Sequence, residues 1–195
     1  GPKETDYIVP ITTIVISILV FIWVLLLLWG ENLVKVQFYN STFFGEQFWA
    51  STQIVPIVAL AYIFHALYLL QLPGVYLLGK SGWIAWVRGT GAVLNITLNF
   101  LLIPIYGIIG AAMATCISYF LIAIFFYMIN RKIFAISYNW KKLGIITFTA
   151  GVIFIIQTNL QLDIPMKIIT SIFYPAVMVI SGVFKLNHPN SLVSI

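Results

Sequence analysis

Long apolar stretches alternate with short polar gaps along this chain, and the stretches have the roughly 17 to 25 residues that a helix needs to cross a hydrocarbon core about 30 Å thick. The pattern predicts six membrane helices over Ile8 to Trp29, Trp49 to Leu72, Trp83 to Ile103, Gly107 to Ile129, Leu143 to Gln157 and Ile164 to Phe184. Strands of a membrane barrel would alternate polar and apolar residues over about ten positions, and these runs do not. The fold class is therefore all-α, a polytopic membrane helix bundle, with residues 1–195 forming one transmembrane domain.

Composition strengthens this reading. The chain is 62% hydrophobic and 8% charged, against roughly 25% charged residues in soluble domains. Ten Lys and Arg against five Asp and Glu leave a net charge of +5, and their placement explains the surplus. With a cytoplasmic N-terminus, Lys3, Lys80, Arg88, Arg131, Lys132, Lys141, Lys142 and Lys185 lie inside, and Lys35 and Lys167 outside. That bias predicts an N-in, C-in topology. The basic loop from Asn130 to Lys142 then faces anionic lipid, and no nucleic-acid partner is needed to account for it. Cys116 is the sole cysteine, so an intrachain disulfide and a cysteine-built metal site are both excluded. The chain begins Gly1-Pro2-Lys3 with no initiator Met, and its first apolar segment is too long for a removable signal peptide. We expect a fragment of a larger protein.

The segment from Asn95 to Thr115 carries the most information. Two asparagines four apart, Asn95 and Asn99, precede Pro104, which is expected to end one helix, and a turn of about four residues leads into the next. Gly107, Ala111 and Thr115 form one small-residue stripe on that helix, and Gly110, Ala114 and Ser118 form a second, both suited to close packing in lipid. Pro56 and Pro175 fall inside predicted spans and are expected to kink them. Leu72 to Gly82, rich in Pro and Gly, reads as a hinge or corner. Trp29, Trp49, Trp83 and Trp140 sit at span ends, as interface anchors do.

Arg88, Ala92, Asn95 and Asn99 lie at helical spacing, so one face of the third helix is polar. On one reading Arg88, near the helix end, snorkels to the headgroups while the asparagines bond to neighbouring helices. On the other, the face lines a hydrophilic cavity, with the guanidinium fork meeting a phosphate and the amides meeting sugar hydroxyls. His65 lies at a similar depth on the second helix and is a candidate for the same wall, or an interhelical hydrogen bonder. The acids Glu4, Asp6, Glu31, Glu46 and Asp163 all fall in predicted loops or termini, so no carboxylate pair is available for acid–base chemistry. No metal-ligand motif occurs either, so we expect neither an enzyme nor a metal or cofactor site.

The run Asn95-Ile-Thr-Leu-Asn99-Phe-Leu-Leu-Ile-Pro104-Ile-Tyr-Gly107-Ile-Ile-Gly110-Ala-Ala-Met-Ala-Thr115 resembles the helix-turn-helix signature of bacterial polysaccharide flippases, and Leu77-Leu-Gly79-Lys80 resembles the corner that precedes it. These are O-antigen and capsule transporters of the multidrug and oligosaccharidyl-lipid exporter superfamily. The resemblance covers about Ile8 to Arg131 and implies the C-terminal lobe of a carrier of 12 to 14 helices, with the N-terminal lobe as missing partner. It further implies transport of an undecaprenyl-diphosphate-linked oligosaccharide by alternating access across the bacterial cytoplasmic (inner) membrane, for O-antigen (lipopolysaccharide) or capsule synthesis. Membrane lipids and other polysaccharide-assembly proteins are the remaining implied partners. Arg88 is the candidate for the diphosphate-sugar headgroup, with His65, Asn95 and Asn99 beside it as substrate-binding residues. A multidrug or metabolite antiporter of the same superfamily and a membrane glycan polymerase are the alternative functions.

Overall fold

A computed structural model of the chain describes residues 5–38, 41–42, 44–133, 138–160 and 162–184. Its helices are α1 (Thr5–Val34), α2 (Val55–Leu69), α3 (Leu72–Leu77), α4 (Gly82–Ile133), α5 (Trp140–Leu160) and α6 (Ile164–Ile180). Among the described residues, a two-residue antiparallel pair, Gln37–Phe38 with Ser41–Thr42, and a 3₁₀ segment, Glu46–Gln53, fill the gap between α1 and α2. Lys3 and Lys185 of the topology count lie outside the described residues.

The 52 residues of α4 are not one rod. Gly107 has φ 57° and ψ −134°, a backbone conformation that nearly only glycine adopts. The chain folds back there: Gly91 lies against Ile122, Asn95 bonds to Ser118 and Gly110 lies against Leu102, pairs each centred on residues 106–107. We call the two arms α4a (residues 82–106) and α4b (residues 108–133). Each, at 1.5 Å per residue, is roughly 37 Å long and spans a hydrocarbon core. α1, α5 and the stretch Ser51–Leu77 are also long and apolar enough to cross a membrane. α6, with 17 residues, is shorter, about 25 Å. This is the architecture of a multi-pass membrane helix bundle.

Several expectations are corrected. Pro104 does not end its helix; helical backbone continues past it to the break at Gly107. Pro56 occupies the first turn of α2, where its missing N–H has no intrahelical partner to lose, so it starts that helix instead of kinking it. Pro175 does lie inside α6. The corner after α2 contains a short helix, α3, before Gly79 turns the chain at φ 65°. α1 runs on to Val34, so Glu31 lies within a helix; Lys35 bonds to it from four residues on and extends the helical end past the apolar run. Asn130, expected in a loop, lies in α4b and is 2% exposed.

Two apolar clusters hold the bundle. The first joins α1, α2, α5 and α6 through side chains such as Val24, Leu28, Ile146, Ile153 and Met178. The second joins α2, α3 and both arms of α4 through Tyr68, Val75, Val87 and Phe126. Interhelical polar bonds fix the first cluster's register. Trp23 Nε1 donates to the Pro56 carbonyl at 2.8 Å and Tyr174 Oη to the Ser17 carbonyl at 3.1 Å. Trp29 Nε1 donates to Ser171 Oγ at 3.0 Å, tying α1 to α6. Of the two small-residue stripes, Gly110, Ala114 and Ser118 is the buried one, whereas Gly107, Ala111 and Thr115 are exposed or half-buried.

Candidate functional site

The polar groups of α4a meet α2 at one end and α4b at the other. Arg88 is exposed, and its Nε donates to Tyr68 Oη at 3.2 Å while the guanidinium lies 5.8 Å from the Tyr68 ring centroid. That pairing leaves the terminal NH₂ groups of the fork for another acceptor. Among the described residues the one ion pair joins Lys35 to Glu31, so Arg88 has no carboxylate partner.

His65 stands one turn before Tyr68 on α2 and stacks on Tyr119 of α4b, with ring centroids 4.7 Å apart and planes inclined by 29°. Tyr62, another turn back, sets its edge against both rings at 6.3 and 6.2 Å and is 59% exposed. The Tyr68 ring thus lies between His65, with centroids 6.0 Å apart, and the Arg88 guanidinium. Tyr62, His65 and Tyr68 recur every three residues, the spacing of a single helical face. That spacing was the available signal for Tyr62 and Tyr68; Tyr119 had none, because only the fold of the α4 hairpin brings it to His65.

Asn95 and Asn99 are half-buried and belong to a different part of the surface. Asn95 Nδ2 donates to Ser118 Oγ at 3.4 Å, and Ser118 in turn donates to the Ala114 carbonyl at 2.7 Å. Asn99 Nδ2 donates back to the Asn95 carbonyl and to Asn95 Oδ1 at 2.9 and 3.0 Å. These amides therefore act first as hydrogen-bonded glue within the hairpin. Arg88 and His65 therefore meet at Tyr68, whereas the asparagines lie apart from them, farther along α4a toward Gly107. Among the described residues no group of His, Cys, Asp and Glu is arranged to hold a metal ion.

No family model matches the chain, and no solved structure does. Over 135 residues, 67% of its length, the chain is 25% identical to a protein of Haloferax volcanii named Probable low-salt glycan biosynthesis flippase Agl15. The aligned part is 29% of that protein, so the chain spans under a third of the length of the relative it matches. The chain is thus a multi-pass helix bundle with an exposed arginine against Tyr68, similar over 67% of its length to a protein named as a probable glycan biosynthesis flippase.

Proposed function

We propose that this chain is the C-terminal lobe of a flippase that carries a lipid-linked oligosaccharide across the membrane. The observation that carries this reading is the 135-residue similarity to a protein named as a glycan biosynthesis flippase. The finer reading is an undecaprenyl-diphosphate-linked substrate, moved across a bacterial cytoplasmic membrane by alternating access for O-antigen or capsule synthesis, with N-terminus and C-terminus both cytoplasmic. It rests on the resemblance of Asn95 to Thr115 and on the charge bias of the loops.

Arg88, whose Nε is engaged by Tyr68, keeps a planar pair of donors for a phosphate. Tyr62, exposed on α2 against His65 and Tyr119, offers an aromatic ring on which the C–H face of a sugar can lie. In this reading Arg88 and His65 meet the headgroup directly, and Asn95 and Asn99 hold the wall straight.

The test is Arg88→Ala in the full-length protein, expressed in a strain lacking the native copy. Surface glycan should be lost while the variant inserts at the normal level. Normal glycan with normal insertion removes Arg88 from the site. Normal glycan in the strain lacking the protein altogether removes the flippase reading, and drug efflux in its place supports the antiporter alternative.

A further inference from the structure

Polar bonds from Ser17, Trp29 and Asn32 of α1 hold α6 on one side, and on the other α6 leaves a groove of about 530 Å³ against α5. Lys141, Gly144, Phe148 and Val152 line its α5 wall, and Phe173 and Val177 line its α6 wall. The α5 residues recur every three or four positions, so they form one helical face. From Lys141 to Val152 that face is about 16 Å long, at 1.5 Å per residue. One leaflet contributes half of the roughly 30 Å hydrocarbon core, about 15 Å. The groove therefore has the length of a single leaflet, with Lys141 at its outer end.

The surrounding charge has one sign. Lys142 Nζ donates to the Val183 carbonyl at 3.4 Å, which puts the start of α5 beside the end of α6. Tyr127 meets Trp140 edge to face at 5.6 Å, which brings the end of α4b, with the exposed Arg131 and Lys132, to the same level. Glu31, Glu46 and Asp163 lie at the opposite end of the bundle, where Lys167 bonds to Asn32 and Lys35 lies over Trp49. Asp6 begins α1 and is on neither wall of the groove. Lys141 is exposed, and among the described residues it has neither a hydrogen bond nor an ion pair. A lysine at this depth can lay its stem on the apolar wall and keep its ammonium among the headgroups.

We propose that the groove between α5 and α6 holds one acyl chain of an anionic phospholipid of the bilayer, whose phosphate accepts a hydrogen bond from the Lys141 ammonium. A transmembrane helix laid along α5 would cross both leaflets and cover the ammonium with no counter-charge, whereas a phospholipid matches the groove in both length and charge. The site is on α5 and α6, apart from Arg88 on α4a, and does not depend on the flippase reading.

The experiment uses the full-length protein in nanodiscs with two photoreactive lipids, phosphatidylglycerol and phosphatidylcholine, carrying the same diazirine-bearing acyl chain. Adducts are mapped by mass spectrometry. Phosphatidylglycerol should label Phe148, Val152 and Phe173 about fivefold more than phosphatidylcholine, the preference expected of one lysine beside an anionic headgroup. Lys141→Gln should bring the two lipids level by lowering phosphatidylglycerol labelling alone, and Lys80→Gln, which removes the same charge from the corner before α4a, should leave the preference intact. A Cβ built on Gly144 meets no atom within 4 Å, so Gly144→Leu grows into the groove and should remove the adducts of both lipids. If that variant fails to fold, Lys141→Gln, at an exposed position, carries the test alone. Equal labelling of the wild type by the two lipids, a preference that survives Lys141→Gln, or one that Lys80→Gln abolishes as fully overturns the proposal. So does an absence of adducts in the groove, the result expected if another part of the protein covers it.

Discussion

Replacing Gly110 by alanine should force apart the two arms of α4. A methyl group built on Gly110 would lie 2.3 Å from the Leu102 carbonyl oxygen, 2.6 Å from its carbon and 3.0 Å from the Ile103 nitrogen. All three are backbone atoms of the facing arm, so no rotamer change can make room. Overpacking of this kind costs about 1–3 kcal/mol, and a rigid backbone neighbour places it at the upper end. Alanine regains about 0.5–1 kcal/mol of helix stability over glycine. That gain is common to every Gly→Ala change inside a helix, so the comparison is with Gly151→Ala, where the new methyl meets nothing within 4 Å. The two variants should differ by about 3 kcal/mol, roughly 150-fold in the folded-to-unfolded ratio. Gly91→Ala should fall between them, because its methyl meets only the flexible end of Ile122. Reversible unfolding in mixed micelles by titration with a denaturing detergent, followed by circular dichroism, measures the series. If Gly110→Ala is as stable as Gly151→Ala, the close approach of the two arms is wrong.

Gly107→Ala should lower stability by about 1–3 kcal/mol, because a Cβ is strained at φ 57°, ψ −134°; an unfolding midpoint equal to that of the parent would reject the sharp reversal there. Lys167, 8% exposed, donates to Asn32 Oδ1 at 2.7 Å across α1 and α6. Asn32→Leu should therefore cost about 2 kcal/mol by stranding a buried ammonium, and adding Lys167→Met should recover most of it in the same unfolding assay. Tyr68→Phe keeps the ring beneath Arg88 but removes the hydroxyl that accepts from its Nε; glycan export should fall, yet less than in Arg88→Ala. Equal loss in the two would mean that positioning by Tyr68, and not the cation itself, limits transport.

The apolar runs gave the helical class and the approximate places of the helices, because the length of an uninterrupted apolar segment relative to the bilayer is a local property of the chain. The hairpin was legible for the same reason: Pro104 lacks a backbone donor and Gly107, close behind it, can take a positive φ, and both effects are local to the chain. Where local signals compete, the sequence misleads. The apolar run ends the first span at Trp29 and puts Glu31 in a loop, yet Lys35 and Lys167 supply partners for Glu31 and Asn32 and α1 continues to Val34. Asn130 read as the start of a loop because polarity marks loops, whereas its amide is bonded inside the bundle to Gln71.

What the sequence by itself determined is which segments are helical and apolar enough for a membrane, together with the polar spacing of Arg88, Asn95 and Asn99 on one face. Only the tertiary structure decided which neighbours those residues meet: Arg88 the Tyr68 hydroxyl, His65 the Tyr119 ring, Asn95 the Ser118 hydroxyl. It also decided that the two apolar clusters leave a largely apolar cavity between them. The reason is that hydrophobicity and turn chemistry act between residues near in sequence, while contacts between α2 and the arms of α4 join residues 20 to more than 50 positions apart. In a chain where nearly every face is apolar, hydrophobic pattern cannot say which face meets which; side-chain shape and a few buried hydrogen bonds do.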